Sequence, residues 1–131
     1  MAKRQRILLI DDSEDFRTTV ATRLNAEGFE TTALATGSEG LALTAHQTFD
    51  LILIDMLMPG KDGVTTYQEL RENPKTREVP IILLTGVAVE GHWEPLGYES
   101  DTRAFVMGKP YDHSTLLARI TQVLSEASGG L

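Results

Sequence analysis

The feature that most constrains the fold is a series of short, wholly apolar segments separated by amphipathic stretches. Ile7–Ile10, Leu51–Ile54 and Val79–Leu84 contain no polar side chain. They are shorter than a typical helix, and a run without alternation is typical of a strand that is covered on both faces. Phe29–Leu34 and Phe105–Met107 are two further, weaker strand candidates. The chain is therefore predicted to form five buried or partly buried strands.

Helical patterns fill the intervals between these strands. Ser13 and Asp112 are candidate N-caps, and Thr36 followed three residues later by Glu39 has the form of a capping box. Gly28 is expected to end the first helix. Apolar residues at helical spacing are Phe16, Val20 and Leu24, then Leu41, Ala42 and Ala45, then Val64, Tyr67 and Leu70, and finally Leu116, Leu117, Ile120, Val123 and Leu124.

Alternating strands and helices predict an α/β fold with a parallel sheet covered on both sides. Because crossovers between parallel strands are right-handed, the expected topology is a flavodoxin-like, doubly wound (βα)5 sheet of five strands. The 131 residues fit a single domain, predicted to span 1–127, with 128–131 as a disordered tail or the start of a linker. The fourth helix should fall within 86–103, where Gly91, Pro95 and Gly97 predict a short, irregular or mobile segment.

Composition excludes several classes of function. The chain has no cysteine, which excludes disulfides, Cys-ligated zinc and thiol chemistry. Its net charge of −7 disfavours direct binding of nucleic acid or of anionic membranes. The first apolar run is too short for a signal peptide, and no run reaches the length of a membrane span. A cytoplasmic protein without membrane insertion is expected.

Polar residues follow the predicted strands at the points where the strands end. Asp11 and Asp12 follow the first strand, Asp55 the third, Thr85 the fourth and Lys109 the fifth. In a doubly wound sheet the carboxyl ends of the strands form the binding site, so these five side chains should converge.

Three carboxylates placed together repel one another unless a cation lies among them. Oxygen ligands of this kind suit Mg²⁺, which takes one or two carboxylates plus a phosphate oxygen. A hydroxyl and an ammonium group nearby could hold the remaining phosphoryl oxygens. This arrangement indicates phosphoryl transfer, which depends on alignment and charge neutralisation.

The ordered set of motifs resembles the receiver domain of two-component response regulators over nearly the whole chain. The matching residues are the pair Asp11-Asp12, the run from Asp55 to Gly63, Thr85 followed by Gly86, and Lys109-Pro110. Each motif is weak alone, but all of them occur in order and each at a strand end.

The resemblance implies roles for these residues. Asp55 would be the phosphoacceptor, and a Mg²⁺ ion would be bound by Asp12 directly, by Asp11 mostly through water, by Asp55 and by the backbone carbonyl of Leu57. Thr85 would contact the phosphoryl group and move on phosphorylation. Lys109 would bridge to the acyl phosphate, followed by a cis bond to Pro110.

The resemblance also implies partners in a phosphorelay. The phosphoryl donor would be a sensor histidine kinase or a histidine phosphotransfer protein. The signal would pass from this domain to a downstream protein or to a fused output domain. The domain would catalyse only its own phosphorylation and dephosphorylation and would not be an enzyme in the usual sense.

Two departures from the family pattern carry predictions. Leu57 and Val87 occupy positions where rapidly dephosphorylated members carry polar side chains, so slow loss of the phosphoryl group is expected. The aromatic switch residue usually lies three residues before the lysine, where this chain has Val106. Phe105 is the candidate switch if a bulge at Gly108 restores its direction. We also expect 86–103 to become ordered on phosphorylation, with Trp93 as its reporter.

Two alternative functions remain open from the sequence. An Asp55-nucleophile phosphohydrolase that resembles the haloacid-dehalogenase-like phosphatases would need a second aspartate two residues on as general acid, where Leu57 stands. A receiver-like interaction module that never accepts phosphate would not need the five site residues. His46, His92 and His113 lack metal-ligand spacing and are interpreted as solvated. Asp62 and Gly63 are interpreted as turn and cap residues.

Overall fold

The computed structural model describes residues 4–56, 63–85, 101–108 and 112–128. These residues form one sheet of five parallel strands in the order β2-β1-β3-β4-β5. The strands are β1 (Arg6–Ile10), β2 (Glu30–Leu34), β3 (Leu51–Asp55), β4 (Ile81–Thr85) and β5 (Ala104–Gly108). The helices of the described residues are α1 (Glu14–Ala26), α2 (Gly37–Thr44), α3 (Gly63–Glu72) and α4 (His113–Ser128). The predicted α/β class and five-stranded parallel sheet are confirmed.

The central strands are buried on both faces, as their apolar sequences predict. All residues of Ile7–Ile10, Leu51–Ile54 and Ile81–Leu84 are buried. Successive strand residues point to opposite faces. Ile7 and Leu9 therefore share one apolar cluster with residues of α1 and α4. Leu8, Ile10 and the alternate residues belong to a second cluster, with α3. The sheet therefore has a core layer on each face.

Helix ends follow the predicted capping chemistry. The Ser13 hydroxyl accepts from the Phe16 N–H at 3.3 Å, and Thr36 accepts from the Glu39 N–H at 3.1 Å. The Asp112 carboxylate accepts from the Thr115 N–H at 2.8 Å. Gly28, at φ 102°, follows the C-terminus of α1 and donates to the Asn25 carbonyl. This positive φ is why glycine ends the helix.

The predicted fourth helix lies outside the described residues except for 101–103, which lead into β5. Of the tail or linker expected at 128–131, Ser128 is instead the last residue of α4, and residues 129–131 lie outside the described residues. Among the described residues, no helix is both long and apolar enough to cross a membrane.

Candidate phosphoacceptor site

The two buried aspartates of the site follow neighbouring strands. Ile10 pairs with Ile54, so Asp11 and Asp55, the next residues, lie side by side at the carboxyl edge of the sheet. The Asp11 N–H donates to the Leu34 carbonyl at 3.0 Å, which anchors this position to β2. Both aspartates are almost completely buried. The sheet therefore fixes the positions of the two buried carboxyl groups.

Asp12 completes a cluster of three carboxylates. One oxygen from each of Asp11, Asp12 and Asp55 lies within 4.8 Å of the others. Asp12 is exposed, so the cluster has one solvent-accessible side. A cation bound among these oxygens would remove their mutual repulsion. An all-oxygen donor set with an open side fits Mg²⁺, which retains several water ligands.

The turn that carries Asp11 and Asp12 is closed by four hydrogen bonds. The Ser13 N–H donates to the Asp11 carboxylate at 2.9 Å, and Ser13 also caps α1 as described above. The Arg17 N–H donates to the Ser13 carbonyl at 2.9 Å. The Arg17 guanidinium donates to the Asp11 carbonyl at 2.8 Å. The turn thus has its backbone held by α1, so the directions of Asp11 and Asp12 are set by the start of this helix.

The start of α3 lies against the backbone of the phosphoacceptor candidate. A Cβ atom on Gly63 would lie 2.1 Å from the Asp55 carbonyl oxygen and 2.7 Å from the Met56 Cα. Only glycine permits this approach of two backbone segments. Gly63 was interpreted from sequence as turn chemistry, and its contact with the chain directly after β3 could not be inferred from its position alone.

The remaining predicted site residues are placed only in part. Thr85 is the last residue of β4, and its backbone pairs with Gly108 at the end of β5. Its position therefore agrees with the predicted strand end. Leu57, Val87, Lys109 and Pro110 lie outside the described residues, and their predicted roles stay predictions.

The prediction of a bulge at Gly108, on which the switch role of Phe105 depended, is wrong. Residues 104–108 pair one to one with residues 81–85, in unbroken register. Phe105 therefore stays on the face of Ile82 and packs against the core cluster that contains α4. Val106 points to the opposite face and is 37% exposed. A switch role of Phe105 stays a prediction, and it would have to operate from the α4 face.

A second polar cluster, missed from sequence, lies at the edge where the strands begin. Tyr67 donates to the Asp101 carboxylate at 2.6 Å, and the Arg71 Nε donates to the same oxygen at 2.5 Å. Arg71 also donates to the carbonyls of Val79 and Arg103 at 2.7 and 3.1 Å. This cluster joins α3 to the segments that precede β4 and β5. An isolated arginine in a helix gives no sequence signal for such contacts.

Burial and hydrogen bonding shift two pKa values in this cluster. Burial and then the hydrogen bond to Asp101 raise the pKa of Tyr67 to about 12. For Asp101, burial acts to raise the pKa, but the hydrogen bonds from Tyr67, Arg71 and Arg103 outweigh it, and the pKa is lowered from its ordinary value.

Comparison with known proteins agrees with this geometry. The family described as response regulator receiver domain matches residues 7–121. The response regulator PleD of Caulobacter vibrioides is 37% identical over 116 residues, which cover 88% of this chain and 25% of that protein. The chain spans about a quarter of PleD and about half of several other curated relatives.

Solved structures show the same fold. A CheY-like receiver domain protein from Methanospirillum hungatei superposes with a TM-score of 0.87 at 26% identity, covering 98% of this chain and 100% of that one. The receiver domain of the sensor histidine kinase PA1611 from Pseudomonas aeruginosa superposes with a TM-score of 0.81 at 27% identity. The match covers 94% of this chain and 99% of that one. That structure has a magnesium ion coordinated in its active-site cleft. This chain belongs to the response regulator receiver domain family, a family of two-component signalling domains.

Proposed function

We propose that Asp55 accepts a phosphoryl group from a phosphohistidine in a Mg²⁺-dependent step. The observation that carries this proposal is the buried Asp55 carboxylate clustered with those of Asp11 and Asp12 at the carboxyl edge of the sheet. A nucleophile at a strand end, beside a cation site with an open side, has the arrangement that phosphoryl transfer requires. The donor is a sensor histidine kinase or a histidine phosphotransfer protein.

The transfer is a displacement at phosphorus. A carboxylate oxygen of Asp55 forms a bond to the phosphorus atom while the bond from phosphorus to the donor imidazole nitrogen breaks. The electron pair of that bond goes to the imidazole nitrogen. A phosphohistidine with a proton on its other ring nitrogen leaves as neutral histidine, and one without it takes up a single proton from water. With acetyl phosphate as donor, the bond to the acetate oxygen breaks instead and acetate leaves.

The residues of the chain align and neutralise the reacting groups. Asp12 would bind Mg²⁺ directly, Asp11 mostly through water, and Asp55 and the Leu57 carbonyl would complete the protein ligands. The bound ion would offset the negative charge of the phosphoryl oxygens and of the carboxylates. The Thr85 hydroxyl would donate a hydrogen bond to one phosphoryl oxygen, and the Lys109 ammonium group would bind a second phosphoryl oxygen.

The consequence of phosphorylation would be a conformational signal to a downstream protein or to a fused output domain. Some relatives are described as DNA-binding regulators, such as RpaA of Synechocystis, of which this chain spans 48%. We propose that the residues of this chain do not themselves contact nucleic acid, because the net charge of −7 opposes it. The cytoplasmic location expected from the sequence stays a prediction.

Intact-mass spectrometry after incubation with acetyl phosphate and Mg²⁺ tests the proposal. The unchanged protein should gain the mass of one phosphoryl group, and Asp55→Asn should gain none. Asp15→Asn removes an exposed acidic side chain from α1 with the same change in charge, and should be labelled normally. No labelling by acetyl phosphate or by any phosphohistidine donor would refute the function. Repeated turnover of a phosphate monoester would favour the phosphohydrolase instead.

A further inference from the structure

We propose that Arg17 is a positioning residue for the metal site, a role that rests on the proposed function. Arg17 lies in α1, one helical turn after the Ser13 cap. Its guanidinium reaches back to the carbonyl oxygen of Asp11 at 2.8 Å. The contact is partly buried, which reduces the competition from water. Arg17 would thereby fix the backbone that directs the carboxylates of Asp11 and Asp12 toward Asp55.

The hydrogen bonds of the turn explain why this single contact matters. Asp12 is exposed, and it lies between Asp11 and Ser13. Because Asp12 is exposed, little packing restrains its side chain, and its direction depends on the turn backbone. The backbone N–H of Arg17 holds the Ser13 carbonyl at one end of the turn, while its side chain holds the Asp11 carbonyl at the other. One residue therefore holds both sides of Asp12.

Charge alone predicts the opposite effect on metal affinity. The Arg17 guanidinium, which binds the backbone carbonyl of Asp11, adds a positive charge near the cluster and so lowers the negative potential that attracts a divalent cation. Removing the positive charge of Arg17 should then tighten Mg²⁺ binding. If Arg17 acts by positioning, its removal should weaken binding instead, because misdirected ligands no longer converge. The sign of the change separates the two effects.

Calorimetric titration with Mg²⁺ tests the role, with each variant measured at a temperature where circular dichroism shows it folded. Arg17→Met should raise the Kd for Mg²⁺ about tenfold, the lower end of the range for residues that orient metal ligands. Arg17→Lys keeps the charge but not the planar donor group, so a smaller, several-fold loss is expected. Arg23→Met removes an exposed arginine from the same helix and should bind Mg²⁺ as the unchanged protein does.

The possible outcomes decide the proposal. Weakened binding in Arg17→Met with partial recovery in Arg17→Lys supports positioning. An affinity in Arg17→Met equal to or greater than that of the unchanged protein overturns it, and Arg17→Gln, which also removes the charge, decides in the same way if Arg17→Met does not fold. If the unchanged protein binds Mg²⁺ and accepts phosphate while Arg17→Met binds equally well, only the role of Arg17 fails. If the unchanged protein does not bind Mg²⁺, both proposals fail.

Discussion

Gly63 illustrates how a residue without a functional group can control a reactive one. The backbone of Asp55 and Met56 occupies the space that a side chain on Gly63 would need. Main-chain atoms cannot move aside as the end of a flexible side chain can, so Gly63→Ala must displace either α3 or the end of β3. We expect a loss of about 1–3 kcal/mol in the free energy of unfolding and slower labelling of Asp55 by acetyl phosphate, both measured on the same preparation.

Gly108→Ala is the matched control for this substitution. Gly108 ends β5 at the same edge of the sheet, its φ is not positive, and a Cβ there would meet nothing within 4 Å. Its replacement should change the free energy of unfolding by less than about 0.5 kcal/mol. Equal effects of the two substitutions would show that the contact of Gly63 with Asp55 is not the cause.

Leu57 and Val87 carry a second prediction at the scale of residues. Neither side chain can hydrogen-bond the water that would hydrolyse an acyl phosphate, so the phosphorylated protein should be long-lived. Leu57→Asn supplies a group that can orient this water, and should accelerate loss of the phosphoryl group by roughly a hundredfold, the lower end of the range for general acid–base catalysis. The decay is followed by intact mass after removal of the donor. A half-life of seconds for the unchanged protein would contradict the reasoning.

Among the elements, α3 is joined to the beginning of the sheet by its polar cluster. The side chains of Arg71 and Asp101 are only 15% and 16% exposed. Arg71→Met would leave the Asp101 carboxylate and several backbone carbonyls without their charged donor. We expect the free energy of unfolding to fall by about 3 kcal/mol, as it does when one partner of a buried ion pair is removed. Tyr67→Phe should cost about 1 kcal/mol, the contribution of one hydrogen bond.

Chemical denaturation of these variants is the measurement, and Arg77→Met is the control. Arg77 is exposed in the turn after α3, so its loss should change the free energy of unfolding by less than about 0.5 kcal/mol. A similar loss in Arg71→Met and Arg77→Met would contradict a specific role for the cluster.

The same cluster predicts how stability depends on pH. The pKa of Asp101 is lowered in the folded protein, so its contribution is present above the ordinary value of 3.8 and is lost as pH falls through the folded pKa. The pKa of Tyr67 is raised from 10.0 to about 12, so its contribution is present below pH 10 and is lost as pH rises toward 12. Urea unfolding above pH 10 should therefore show a steeper loss of stability in the unchanged protein than in Tyr67→Phe. Parallel pH profiles would contradict this assignment.

On the scale of the whole molecule, the pattern of apolar strands was enough to predict the fold and the position of the acidic cluster. Ile7–Ile10 and Leu51–Ile54 are apolar because both faces of these strands are buried, and this one property identified the parallel sheet. The parallel sheet then placed Asp11 and Asp55 together, since residues that follow adjacent strands share an edge. The acidic part of the site was thus predictable from the sequence.

Contacts between elements distant in sequence were not predictable in the same way. The register of β5 decides which face Phe105 occupies, and a shift by one residue would reverse it. The approach of Gly63 to Asp55 depends on how α3 crosses the end of β3. The partners of Arg71 come from two separate loops. These features depend on three-dimensional packing, which local pattern does not encode.

The acidic cluster that would bind the metal is also expected to lower the stability of the metal-free protein. Three carboxylates within 4.8 Å repel one another in the metal-free protein, which already carries a net charge of −7. Folding brings these groups together, so the metal-free protein should be less stable than a variant in which one of the three charges is removed. Bound Mg²⁺ would reverse this effect, because it would bind the folded arrangement and not the unfolded chain.

Asp12→Asn should therefore change stability in opposite directions with and without the metal. Without Mg²⁺ the variant should have a higher Tm than the unchanged protein, because one of three repelling charges is gone. With Mg²⁺ at a hundred times its Kd, the unchanged protein should gain about 2.7 kcal/mol, whereas the variant should gain little because a direct ligand is missing. Calorimetric scans with and without Mg²⁺ measure both effects. Asp15→Asn, with the same change in net charge outside the cluster, should keep the full gain from Mg²⁺. If Asp12→Asn lowered the metal-free Tm and kept the gain, the cluster would be neither a site of repulsion nor the metal site.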